Sequence, residues 1–234
     1  MDVKALHELQ SIDTAIDQGR HAQATLPERV RHDDARARLG SLRAKIGDVR
    51  REQSAFESEL AAIERRAAEL GNHKSRLEKQ LKTVIAPREA EALQHEMTAI
   101  DVERGEGDDR GLELLESSAR ADADLSELMV RESEALALEA DAARQLEAAL
   151  IASRAILEDL ERQRVDMVSR IAPSDVRDYE RLRASHGGVA VAEIRHGVCG
   201  GCHMDISPSE LDAIKRLSAD AVAECPNCSR LLLR

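Results

Sequence analysis

Aromatic residues are nearly missing from this chain of 234 residues: there is no Trp, and Phe56 and Tyr179 stand alone. Compact cores lean on the large buried area of aromatic rings, so an ordinary globular domain of this length is not expected. Long apolar runs are missing as well. Charged residues make up 34% of the chain and are scattered along it, and the mean hydropathy is -0.43, which leaves no candidate membrane span. The first residues, Met1 to Glu8, lack the apolar stretch of a signal peptide, so the expected compartment is the cytoplasm. What is abundant is Ala, Leu, Glu and Arg, a composition of long helices packed through narrow seams. A hydrophobic content of 42% is too high for disorder, and a net charge of -11 disfavours generic attraction to nucleic acid.

The seams can be counted. Alternate steps of three and four residues lead through Leu39, Leu42, Ile46, Val49, Gln53, Phe56, Leu60, Ile63, Ala67, Leu70, Lys74, Leu77, Leu81 and Val84. Only Gln53 and Lys74 interrupt this apolar series, which marks a coiled-coil seam. A second seam runs through Ala143, Leu146, Leu150, Ser153, Leu157, Leu160, Arg164, Met167 and Ile171. A shorter set, Leu9, Ile12 and Ile16, predicts that helix begins near the N-terminus. Pro27 predicts a break there, because its ring cannot sit inside a helix without losing a hydrogen bond.

Charge suggests how the seams pair. Residues 28–51 carry eight basic and four acidic side chains, and 65–85 carry six and two. If the chain doubles back near Ala86–Pro87, position i lies opposite roughly 172 minus i, by symmetry about that turn. The facing stretches are then 121–144, with two basic and seven acidic residues, and 87–107, with two and six. Opposite signs meet in both places. A turn at Gly105–Gly111 is more loop-like by composition. It would place 28–51 against 163–186, where five basic and four acidic residues nearly cancel. The turn is therefore expected at 84–88, with the glycines a weak, bent spot in the second helix. Residues 1–172 read as an antiparallel coiled-coil hairpin, although the same seam residues could also pair between two chains.

Residues 173–234 read as a separate small domain. It holds all four cysteines of the chain, Cys199, Cys202, Cys225 and Cys228, spaced C-x2-C, twenty-two residues, C-x2-C. Each C-x2-C is short enough for one backbone turn to aim two thiolates at a single metal, and two such pairs complete a tetrahedron. Two disulfides would need an oxidising compartment, and a redox C-x-x-C would need a βαβ pattern that is absent. One structural Zn²⁺ is the expected cofactor. Four thiolates close its coordination sphere, so no catalytic water is expected.

Around the ligands the pattern predicts a helix over Asp175–Arg183, a turn at Ser185–Gly188, and a strand over Val189–Arg195. A helix capped by Ser207, with Pro208 first and Glu210 three residues after the cap, should run to about Leu217. A short strand at Ala221–Ala223 and a return strand at Leu231–Leu233 complete the domain. No nucleophile elbow, P-loop or dinucleotide motif occurs, and arm carboxylates on two helices have no cleft, so no enzyme is expected. A basic set, Arg177, Arg181, Arg183 and Arg195, is the candidate contact for RNA or DNA. Against it stand eight basic and nine acidic residues in 173–234 and a single aromatic, Tyr179, for base stacking.

Several stretches together resemble the bacterial family that joins a coiled coil to a C4-type zinc ribbon, the CT398-like or FlgZ-like proteins. They are Leu6–Asp13, Arg88–Glu96, Asp178–Arg183, Cys199–His203 and Cys225–Cys228. The resemblance implies a hooked helical hairpin with the ribbon at its base and a non-enzymatic adaptor role. In some relatives it implies links to flagellar or secretion systems through protein partners and RNA. Ser229 stands where the family usually has Gly, and Leu233 where an aromatic is usual. The resulting expectation is a mainly α protein, a long antiparallel coiled-coil hairpin followed by a small zinc ribbon. It would act as a cytoplasmic adaptor for partner proteins, with a nucleic-acid-binding regulator as the alternative.

Overall fold

Four of the five prolines open a helix, where the missing N–H would have had no partner in any case. The computed structural model describes residues 1–218 and 221–233. Its elements are α1 (Val3–Ala24), α2 (Pro27–Leu81), α3 (Pro87–Ser169), α4 (Pro173–Ser185), β1 (Val191–Arg195), β2 (Val198–Cys199), α5 (Pro208–Arg216) and β3 (Leu231–Leu233). The break at Pro27 is as expected. Asp2 caps α1 by accepting the amides of Lys4 and Ala5, both at 3.1 Å. The chain packs as two units, Arg31–Ala143 and Met1–Val30 with Arg144–Arg234.

In the first of these units α2 and α3 lie antiparallel. Arg43 pairs with Glu132, Arg66 with Glu103, His73 with Glu96, and Arg110 with Glu59. Every one of these partners lies within three residues of 172 minus i, the register that the charge blocks predict. All fourteen positions of the first counted seam are buried or partly covered. Leu70, Leu77 and Ile100 form a buried cluster, with Leu93 and Met97 packed against it. Burying each such side chain is worth about 2 kcal/mol, far more than one exposed ion pair. The two polar seam positions are used: Gln53 Nε2 donates to Asp122 Oδ1 and Lys74 Nζ to Asp101, each at 2.5 Å. A polar residue in a seam costs stability but fixes alignment, because a shifted register leaves it unpaired.

Two details differ from the sequence reading. Helix α2 stops at Leu81 and Pro87 starts α3, so the turn occupies residues 82–86. Gly105, Gly107 and Gly111 all sit inside α3 as helix. The seam on either side outweighs a propensity penalty of about 1 kcal/mol per glycine.

In the other unit, α1 and α4 pack on a three-stranded sheet of order β2-β1-β3. Strand β1 pairs antiparallel with β2 through a two-residue turn, His196-Gly197, with φ of 52° and 82°. Two successive positive φ values match the twist of a tight hairpin. Strand β3 pairs with β1 in parallel, Val191 opposite Leu231 and Ala192 opposite Leu232. Because side chains alternate along a strand, this sheet serves two cores. Val191 and Leu231 face Leu6, Leu9, Ile171, Val176, Tyr179 and Ala190. Ala192 and Leu232 face Cys199, Cys225, Ile206, Ile214 and Ala223. The strand expected at Ala221–Ala223 is absent. Glu224 makes one isolated bridge to Leu231, and the chain then enters the second cysteine turn, leaving no room for a ladder.

Candidate metal centre

The two cysteine turns repeat one backbone pattern. His203 N donates to Cys199 O and Ser229 N to Cys225 O, both at 2.8 Å. Cys199 N donates to Met204 O at 3.1 Å, and Cys225 N to Arg230 O at 2.8 Å. His203 and Ser229 follow the second cysteine of each turn and carry φ of 59° and 61°. Such values are strained for residues with a Cβ. Ser229 is the position where the resembled family has Gly, so the departure falls where backbone freedom is needed. The glycines between the first pair of cysteines serve close packing instead. A Cβ on Gly201 would lie 2.6 Å from Arg230 Cδ, and one on Gly200 would lie 3.0 Å from Glu193 O.

These turns bring the sulfurs of Cys199, Cys202, Cys225 and Cys228 to within 4.8 Å of one another. Cys202 Sγ and Cys225 Sγ are 3.9 Å apart. A tetrahedron with Zn–S bonds of about 2.3 Å has edges of about 3.8 Å, so the donor set fits zinc. A disulfide would need about 2.05 Å. No histidine or carboxylate joins this group among the described residues, and His203 is exposed. Burial pushes the Cys225 thiol up to about 12. Burial acts the same way on Cys228, but the Arg230 amide and neighbouring thiols outweigh it and bring that thiol down to about 7. When bound, zinc would hold all four as thiolates and tie the second cysteine turn to the sheet.

The centre is held to the helices by polar contacts that sequence reading did not single out. Gln10 acts as a substitute strand: its Oε1 accepts from Ala190 N at 2.6 Å and Val191 N at 2.7 Å, and its Nε2 donates to Val191 O at 2.8 Å. Asp13 is 3% exposed. Its carboxylate accepts from Tyr179 Oη at 2.8 Å and Arg164 Nε at 2.6 Å, and Arg183 Nε lies 3.7 Å away. His186 Nε2 lies 2.8 Å from Cys228 O, and Arg230 Nε donates to Val189 O at 2.8 Å. One signal was readable. The buried face of α1 is Leu6, Leu9, Asp13 and Ile16, with Ile12 only partly covered, so a carboxylate stands in an apolar stripe.

The four candidate arginines are not gathered into one free cationic face. Arg181 pairs with Asp178 at 3.0 Å, Arg195 with Glu193 at 2.7 Å, and Arg183 with Asp17. Arg177 is exposed and has no ion pair among the described residues. Tyr179 is fully buried and presents no ring to a base.

A long antiparallel hairpin carrying a four-cysteine turn pair defines a class, coiled-coil proteins with a C4 ribbon. Comparison with known proteins agrees: the CT398-like coiled coil hairpin domain matches residues 9–187, and the C4-type zinc ribbon domain matches 198–232. The chain belongs to this CT398-like family. An uncharacterized Mycobacterium tuberculosis protein is 34% identical over 146 residues, which is 61% of this chain and 58% of that protein, so less than two thirds of the relative is spanned. Among solved structures, one from Mycobacterium smegmatis is similar with a TM-score of 0.85 at 22% identity, covering 100% of this chain and 99% of that one. CT398 from Chlamydia trachomatis gives 0.81 at 21% identity, covering 98% and 96%. These likenesses show the fold. Among the described residues no helix is long and apolar enough to cross a membrane.

Proposed function

We propose that this protein is a non-enzymatic adaptor, which binds partner proteins through its coiled-coil arm and its zinc ribbon in the cytoplasm. The observation that carries the reading is the all-sulfur donor set. Four thiolates leave a bound zinc no position for water or substrate, so the metal's work is to shape a surface. The sheet next to it shares one core with α1 and α4, so that surface is fixed to the helices and does not hang on a linker. Sulfur ligation by reduced cysteines accords with a cytoplasmic setting.

The alternative, a nucleic-acid-binding regulator working through Arg177, Arg181, Arg183 and Arg195, has weaker support. Three of those cations are already paired with carboxylates, and the sole tyrosine is buried. Pull-down from native lysate with the intact protein and with Cys199→Ser tests the adaptor reading. A protein that co-purifies with the first and is lost or weakened with the second supports it. A gel shift with RNA at physiological salt, with no protein retained, would support the alternative instead.

A further inference from the structure

The four cysteines of the metal centre are not equally placed. Cys199 is 0% exposed and Cys225 2%, and both belong to the core formed with Ala192, Ile206, Ile214, Ala223 and Leu232. Cys202 and Cys228, the second cysteine of each turn, pack against that core from its margin and are only partly buried. The residues that follow them, His203 and Ser229, are exposed, as are Gly200, Pro226 and Asn227 within the turns. A small neutral molecule arriving from water therefore meets Cys202 and Cys228 before the inner pair.

Coordination would keep all four sulfurs as thiolates, the form that hydroperoxides oxidise. All four lie within 4.8 Å of one another, so when one outer sulfur is oxidised the other stands beside it as a resolving thiolate. The two must close by less than about 3 Å to reach bonding distance, which side-chain rotation supplies. A bond inside one turn, Cys199 with Cys202 or Cys225 with Cys228, would draw a buried sulfur out of its apolar packing. A bond across the turns, between the outer pair, leaves both inner sulfurs where they are. The effect is local because the sheet serves two cores. The core around Leu6, Leu9, Tyr179 and Val191 contains no cysteine. The other holds all four, and α5 packs on it through Leu211 and Ile214. Losing the metal loosens the second core and spares the first.

We propose that Cys202 and Cys228 are a peroxide-sensitive pair, whose oxidation to one cross-turn disulfide ejects the zinc and loosens α5 and the cysteine turns while α1 to α4 stay folded. The thiolate of one outer cysteine attacks an oxygen of hydrogen peroxide and breaks the O–O bond. A sulfenic acid forms, and the hydroxide that leaves takes up a proton as water. The other outer thiolate attacks the sulfenic sulfur, forming the S–S bond and releasing a second hydroxide, which also becomes water. Two electrons pass from sulfur to peroxide and two Zn–S bonds are lost. Cys199 and Cys225 alone are too few ligands to hold the ion. A disulfide of this kind in a reducing compartment is a transient, sensing one. The proposal goes beyond the adaptor reading and does not depend on it.

The test treats the full-length, zinc-loaded protein with hydrogen peroxide in the presence of a chromogenic zinc indicator. Complete loss of the bound zinc is expected, in step with a Cys202–Cys228 bond identified by fragmentation of the unreduced peptides in mass spectrometry. A thiol reductant with added zinc should restore the starting state. Amide hydrogen exchange should quicken in α5 and the cysteine turns and stay slow in α1 to α4, with little helix lost in circular dichroism. N-acetylcysteine in the same solution reports that the oxidant is active. Zinc retained while that thiol is consumed would overturn the proposal. So would any other first disulfide, oxidation to sulfinic or sulfonic acid without a disulfide, or exchange that quickens throughout the helices. None of these readouts needs a partner, so failure here leaves the adaptor reading standing.

Discussion

Removing the carboxylate of Asp13 is the most informative perturbation of the unit that carries the metal centre. In Asp13→Ala the Tyr179 hydroxyl loses its acceptor, Arg164 loses a 2.6 Å partner, and Arg183, which keeps Asp17, loses the carboxylate beside its Nε, an atom already short of a hydrogen bond. Breaking a fully buried pair costs about 3–5 kcal/mol. The two arginines keep roughly a quarter of their side-chain surface in water, which sets the expectation near the lower end, about 3 kcal/mol. Arg43→Ala, which breaks an exposed pair between α2 and α3, should cost about 0.2–1 kcal/mol. The assay is urea unfolding followed by intrinsic fluorescence, because Tyr179 is the only tyrosine and there is no Trp. A loss below about 1 kcal/mol for Asp13→Ala, or one no larger than for Arg43→Ala, would refute the view that this network fastens α1 to α3 and α4.

Tyr179 has its ionisation pushed up, first by burial and then by its bond to the Asp13 carboxylate. A raised folded value means that this contribution is complete below the unfolded pKa of about 10 and is lost as pH rises above it. Tyrosinate absorbance should therefore appear together with unfolding; free titration near 10 in a folded chain would contradict the burial. Ser229→Gly should stabilise the ribbon by about 1 kcal/mol, since it relieves a positive φ in a turn. A lower midpoint in chemical denaturation would count against it. Gly105→Ala and Gly111→Ala meet open space on α3 and should each add about 0.5–1 kcal/mol, read from thermal melts. Chelation should make all four thiols reactive to a thiol reagent while most far-UV helix signal persists, because α2 and α3 pack without the metal. Loss of the whole helix signal would refute that separation.

Much of this fold is legible from spacing alone. Steps of three and four residues locate the face that α2 turns to α3, because a long two-helix seam buries little else; the α3 face that meets it, with Ile100, Leu114 and Ala121, lies outside both counted series. Opposed charge blocks give the register, and Gln53 and Lys74, which look like flaws in the pattern, turn out to hold it through Asp122 and Asp101. The cysteines were equally readable, since C-x2-C has few uses. What spacing hides is long-range polar pairing. Nothing in the neighbourhood of Gln10 says that its amide meets a strand 180 residues later. Asp13 and Arg164 each read as an interruption of a stripe until the two stripes are placed together. The strand expected at Ala221–Ala223 is missing because the segment meets β3 only at its end: Ala223 O accepts from Leu232 N and Glu224 bridges Leu231 before the chain turns at Cys225.

X-ray absorption on the protein purified without added chelator tests the metal centre most directly. One zinc per chain with four sulfur neighbours at about 2.3 Å is expected, with loss of that signal in Cys199→Ser with Cys228→Ser. A nitrogen or oxygen neighbour in the first shell, or a protein that folds and binds its partner with no metal at all, would contradict it.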